Sequence, residues 1–307
     1  MVAASIAATA LWGLRLGIDF TGGSLLEVEF QDGRPSAEEV KNALAPLDLG
    51  SITVQPTGVR GMIIRFRHVD EPTHQKILSE FSKLPASAPT PPKQLRLRRP
   101  GKASVGRQVP SSKPIEKRFD TIGPTIGAEL QRRAVVALAA AIAAIVIYIA
   151  FAFRRVSEPL SSWKYGVTAV IALIHDVSIP TGAFAVLGGF GEVEIDPLFI
   201  TALLTILGFS VHDTIVVFDR IRENLRNLKR PEPFAQTVNR SVNETITRSV
   251  LTSLTVLLVL AAIFFLGGSS TRYFALALML GIIFGTYSSI FVASPLLVTW
   301  NSLTNKR

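Results

Sequence analysis

The sequence predicts a polytopic α-helical membrane protein of six spans, the first truncated, carrying one extracytoplasmic α+β domain of ferredoxin-like type. Three observations lead there. Five apolar runs are each about 20 residues or longer, enough to cross ~30 Å of hydrocarbon. Of 307 residues, 48% are hydrophobic and only 18% charged, with a mean hydropathy of +0.38. Soluble domains carry roughly a quarter charged residues. Ahead of the five runs, residues 15–133 alternate strand-like and helix-like patterns.

The first element is the short apolar run 2–14. As a helix it measures about 20 Å, too little for a comfortable crossing. No basic residue precedes it, as a signal peptide would require. It reads as the distal part of a first span whose upstream part lies outside this chain.

Residues 15–133 follow. Residues 24–30 (SLLEVEF) alternate as a half-buried strand does. Ser36 with Glu39 three positions on reads as a capping box opening a helix to about Leu44. Residues 52–55 and 62–66 read as strands, 73–84 as a helix, and 115–121 as a last strand. That order suits a small sheet with its helices on one face. Residues 85–114 hold seven prolines, many basic residues and little apolar content, so they read as a weakly ordered insertion.

The five long runs come next, at 134–153, 167–191, 197–218, 249–268 and 273–300, with a tail at 301–307. They have too little polar face for core helices of a globular fold. Orientation follows from short loops. The loop 219–248 holds seven basic residues and 154–166 holds three, while 192–196 holds none and 267–272 one. The basic loops and the tail are therefore cytoplasmic, and 15–133 lies outside. The net charge of +9 becomes a topology signal and an insertion property, not a nucleic-acid footprint.

Ionisable residues inside spans cost about 2.5–3.5 kcal/mol at mid-helix and point to function. There are two such Asp here, each preceded by His: His175-Asp176 in the third span and His212-Asp213 in the fourth. Asp176 falls about 14 Å and Asp213 about 8 Å from the same side, on antiparallel neighbours. Arg248, at the mouth of the fifth span, is expected to pair with Asp213. Burial favours a neutral acid and a nearby cation its carboxylate, so a group pulled both ways can load and release protons. A static His–Asp–Arg network gluing helices is the competing reading. Gly281 and Gly285 form a small-residue packing face. There is no cysteine, Walker motif, nucleophile elbow or metal-ligand cluster, so no cofactor, metal or enzymatic activity is expected.

Three segments carry a resemblance: residues 16–23 (LGIDFTGG), 122–130 (IGPTIGAEL) and 210–224 (SVHDTIVVFDRIREN). With six spans and one large external segment, they closely resemble the SecF family of bacterial preprotein translocase subunits, within the resistance–nodulation–division superfamily. The resemblance implies a multi-pass subunit of the plasma membrane (or thylakoid), not an enzyme. It implies SecD, the SecYEG channel and exported preproteins as partners, and use of the proton gradient late in export. It places the family's membrane carboxylate on Asp213 and its arginine on Arg248, with Asp176, His175 and His212 alongside. Gly17, Asp19, Phe20, Gly22 and Gly23 match the motif after the first span. Asp219, Arg220, Arg222, Glu223 and Asn224 match the cytoplasmic signature, read as structural or SecD-facing. His212 stands where many relatives have Asn. A proton-driven exporter of lipids or small hydrophobic molecules, and a purely structural translocon subunit, are the alternatives.

Overall fold

A computed structural model of the chain describes residues 1–31, 33–84, 114–153, 161–190, 193–228 and 230–305. The helices are α1 (Val2–Trp12), α2 (Ile18–Thr21), α3 (Ala37–Leu44), α4 (Glu71–Phe81), α5 (Pro124–Ala152), α6 (Ser162–Gly189), α7 (Pro197–Arg226), α8 (Phe234–Leu266), α9 (Ser269–Ser288) and α10 (Ser294–Asn305). The strands are β1 (Gly23–Phe30), β2 (Thr53–Thr57), β3 (Gly61–Phe66) and β4 (Pro114–Ile122). Contacts divide the chain into two units, Met1–Leu16 with Arg132–Arg307, and Gly17–Gln131. The sequence reading puts those divisions two residues away, after 14 and after 133.

In the unit Gly17–Gln131 the elements run βαββαβ, and the antiparallel sheet has the order β2-β3-β1-β4. This is the ferredoxin-like arrangement. Alternation drives it: Leu26, Val28 and Phe30 of β1 are wholly buried against Val40, Leu44, Ile77 and Phe81 of the two helices. Both capping-box bonds form, with Glu39 N donating to Ser36 Oγ at 3.2 Å and Ser36 N to Glu39 Oε2 at 2.7 Å. Helix α4 is capped by Asp70, whose side chain accepts from Thr73 N at 3.2 Å, and its partners there hold its carboxyl below the usual range. The Pro-rich insertion lies outside the described residues except for Pro114, the first residue of β4.

Among the described residues five helical stretches are long and apolar enough to cross a membrane, 124–152, 163–189, 197–226, 234–266 and 271–303, and all but the first eight residues of 124–152 belong to the other unit. The last differs from the sequence expectation of one uninterrupted helix. A π-helical turn, Ser289–Ala293, separates α9 from α10, and an i→i+5 turn leaves no mark in composition. Helix α1 lies parallel to α6. A Cβ added at Gly182 would stand 2.6 Å from Ser5 Cα, and one at Gly189 2.2 Å from Trp12 Cδ1, so two close approaches recur seven residues apart on each helix. Helices α7 and α9 meet as the Gly281/Gly285 spacing predicts: Ile206 fits over Gly281 and Ser210 over Gly285, both pairs four residues apart. Around them Tyr165, Leu207, Val217, Phe218, Ile221 and Leu297 form the apolar core, with Ile149 and Phe153 from the end of α5 packed against it.

Candidate functional site: two carboxylates in a cage of hydroxyls

The antiparallel pair α6 and α7 brings both membrane carboxylates inside the bundle, Asp176 with no exposed surface and Asp213 with 7%. Asp213 Oδ1 accepts from Ser249 Oγ of α8 at 2.6 Å, and Asp213 Oδ2 from Ser289 Oγ at 2.6 Å. Asp176 Oδ2 accepts from Ser288 Oγ at 2.7 Å and from Ser210 Oγ of α7. His175 Nδ1 lies 2.8 Å from Asp176 Oδ1, and the His175 ring stacks on Tyr287.

The geometry links the two acids. Ser210 and Asp213 are three residues apart on one face of α7, so the helix that carries one acid donates to the other. Ser288 and Ser289 are neighbours at the threshold of the π-helical turn, and each reaches a different acid. Gly285 lies beside them, where a Cβ would be in ordinary contact with Ser210 Cβ at 3.4 Å and Asp176 Oδ2 at 3.7 Å. Pro180, four residues after Asp176, lacks the N–H that would bond the Asp176 carbonyl and so loosens α6 at the carboxylate's own turn.

Two expected participants stand elsewhere. Arg248 is exposed and, among the described residues, makes no ion pair with Asp213. Successive residues on a helix point about 100° apart. With Ser249 turned to Asp213, its predecessor turns away. Arg248 instead lines a cavity of about 370 Å³ between α7 and α8, with Asp219, Arg220, Glu223, Glu244 and Thr245. His212 is exposed for the same reason, since Asp213 occupies the inward position. The expected His–Asp–Arg cluster is thus a His–Asp pair and a separate Asp, joined by serines.

Those serines escaped the sequence reading. A signal was present: Thr237, Ser241, Thr245, Ser249 and Ser253 recur every fourth residue along α8, and all are buried. Residues of the motif 219–224 stitch α7 to α8. Arg220 Nε donates to Glu244 Oε2 at 2.6 Å and its Nη1 to Glu223 Oε2 at 2.7 Å. Asn224 Nδ2 reaches Glu244 Oε2 at 2.8 Å and Ser241 Oγ at 2.9 Å, and Arg222 pairs with Asp219 at 2.7 Å.

The motif 16–23 is a packing device within the other unit. Gly17 caps the single turn α2, and Phe20 is buried. Gly22 has φ +72° and Gly23 φ +132°, conformations that favour glycine. A Cβ at Gly22 would stand 2.7 Å from Pro124 Cα, and one at Gly127 2.7 Å from Gly22 N, so the segment 122–130 fits against the motif only through glycines. Half-buried Asp19 has its carboxyl raised above the ordinary value, chiefly by burial.

Comparison with known proteins decides the family. The model of the protein export membrane protein SecD/SecF C-terminal region matches residues 103–303, and that of the SecD/SecF GG motif matches residues 13–33. The chain belongs to the SecD/SecF family. It is 45% identical to the protein translocase subunit SecF of Thermobaculum terrenum, over 95% of this chain and 86% of that one. With SecF of Anaerolinea thermophila the identity is 38%, over 98% and 89%. The crystal structure of SecDF from Thermus thermophilus, described as a translocon-associated membrane protein, superposes with a TM-score of 0.76 at 33% identity, covering 98% of this chain and 36% of the larger one. As a SecD/SecF protein with several apolar helices, the chain is a multi-pass membrane protein.

Proposed function

We propose that this chain works as the SecF subunit of a Sec translocase, alongside SecD and the SecYEG channel, and that protons taken up and released at Asp213 drive a late step of export. The observation that carries the reading is the hydroxyl cage. A serine hydroxyl can donate to a carboxylate or accept from a carboxylic acid, so Asp213 and Asp176 find partners in either protonation state. Arg or Lys partners would favour the charged state alone.

The cavity between α7 and α8 supports a route for protons toward the site. It reaches Thr245 and Arg248, and Thr245 stands one turn before Ser249 on the same buried face. Arg248 acts from this cavity as a field on arriving protons. The lysine and arginine content of the short loops 154–166 and 219–248 supports a cytoplasmic side there and an extracytoplasmic side for residues 15–133. Trp163 and Trp300, with ring centroids 5.7 Å apart at the start of α6 and near the end of α10, support a membrane–water interface at that end of both helices.

Asp213→Asn tests the reading. The amide keeps the shape and fixes the site uncharged, so membrane insertion and association with SecD should persist while stimulation of export by the proton gradient disappears. Normal stimulation at normal subunit abundance would refute the proposal.

A further inference from the structure

Ser288 and Ser289 each have one hydroxyl proton and two acceptors. Ser289 Oγ lies 2.6 Å from Asp213 Oδ2 and 3.0 Å from the carbonyl oxygen of Thr286. Ser288 Oγ lies 2.7 Å from Asp176 Oδ2 and 3.0 Å from the carbonyl oxygen of Gly285. A single proton serves one acceptor well at a time. Which one it serves depends on the acid. An ionised carboxylate is the stronger acceptor, and the serine hydroxyl donates its hydrogen bond to it. A carboxylic acid protonated at Oδ2 presents an O–H there, which donates to the serine oxygen, and the hydroxyl proton then turns to the backbone carbonyl three residues back.

We propose that Ser288 and Ser289 are positioning residues that pass the protonation state of Asp176 and Asp213 into the main chain of α9, at the turn where it becomes π-helical. Each step is balanced: one proton arrives on a carboxylate oxygen, no other covalent bond changes, and one hydroxyl rotates. The receiving carbonyls, Gly285 and Thr286, belong to the last α-helical turn before Ser289–Ala293. Hydroxyl bonds to the preceding turn's carbonyls bend helices. On the far side of the π-helical turn, Ser294 Oγ donates to the carbonyl of Ser289 at 2.9 Å, holding the wide turn in place. Loading an acid therefore adds a hydroxyl bond to the near side of a turn already held from the far side, and this changes the angle at which α10 leaves α9. Such turns are frequent at functional sites.

The charged and titratable groups around the pair come from every neighbouring helix. Helix α6 brings His175 and Asp176, and α9 brings Tyr287, which stacks on His175. On α8 Arg248, and on α7 His212, are exposed beside the inward residues. The inference rests on Asp213 being a proton carrier, and the test keeps the two apart.

The full chain is reconstituted with SecD and SecYEG in proteoliposomes, as wild type, Asp213→Asn, Ser289→Thr and Ser289→Val. Thr and Val have nearly the same shape and differ in the hydroxyl. Two quantities are read: gradient-stimulated export, and the infrared carbonyl band of the protonated acid, assigned to Asp213 by its loss in Asp213→Asn. Ser289→Thr should keep most of the stimulation. Ser289→Val should keep the Asp213 band but move it to higher frequency, because the acid O–H has lost its acceptor, and should lose most of the stimulation. Equal export by the Thr and Val variants, whether both high or both low, overturns the inference while an Asp213 band leaves the proton-carrier reading standing. No Asp213-dependent band in the wild type removes that reading and the inference with it.

Discussion

A rotation of about 100° per residue decides which groups around Asp213 matter. Arg248 and Ser249 are neighbours in sequence, yet one is exposed and the other is bonded to the acid at 2.6 Å. The two acids were legible because ionisable residues in apolar runs are costly and stand out. Their partners were not. Ser210, Ser249, Ser288 and Ser289 are ordinary residues for spans, and those bonded to Asp213 come from 36 and 76 positions away. The pairing with Arg248 was inferred from nearness at a helix mouth, which ignores the direction of the side chain. Double-variant cycles on the full chain in detergent, read by unfolding, separate the two neighbours. Asp213 with Ser249 should couple by about 0.6–1.7 kcal/mol, from the average to the maximum found in double-mutant cycles between membrane helices. Asp213 with Arg248 should couple by less than about 0.5 kcal/mol, the scatter of independent sites. The reverse order would restore the ion pair.

At the scale of elements, small residues set how closely the spans approach. The Gly281/Gly285 spacing could be read from sequence because small residues one turn apart make a groove. What fills the groove, Ile206 and Ser210, could not, since any span offers several such faces. The consequence reaches the site: α9 must sit close to α7 for Ser288 and Ser289 to reach both acids. Gly281→Ala would put a methyl 2.2 Å from Ile206 Cγ1 and should destabilise the bundle by about 1–3 kcal/mol through overpacking. The clash is with a side chain rather than backbone, so shortening that side chain helps: Gly281→Ala with Ile206→Ala should be more stable than the sum of the two single effects by over about 0.5 kcal/mol. Chemical unfolding in detergent measures this, and strict additivity would mean that the two helices do not rely on that contact. The π-helical turn beside it was invisible beforehand, because Ser289–Ala293 has a composition that an α-helix would accept equally well.

For the whole molecule, a small α+β fold beside a set of long apolar helices was readable from the sequence. Hydrocarbon demands long uncharged runs, and a half-buried sheet demands alternation, so both leave strong patterns. The hydroxyl network left only the four-residue Ser/Thr repeat of α8, since the network itself exists only once four spans are assembled around it. The account therefore turns on whether protons pass through that network while a chain is being exported. Proton influx is the most direct measure, followed with an entrapped pH-sensitive dye in proteoliposomes containing SecYEG, SecD and this chain. The account predicts an influx that rises with export in the wild type and is abolished by Asp213→Asn at equal subunit abundance; an influx undiminished by Asp213→Asn would contradict it.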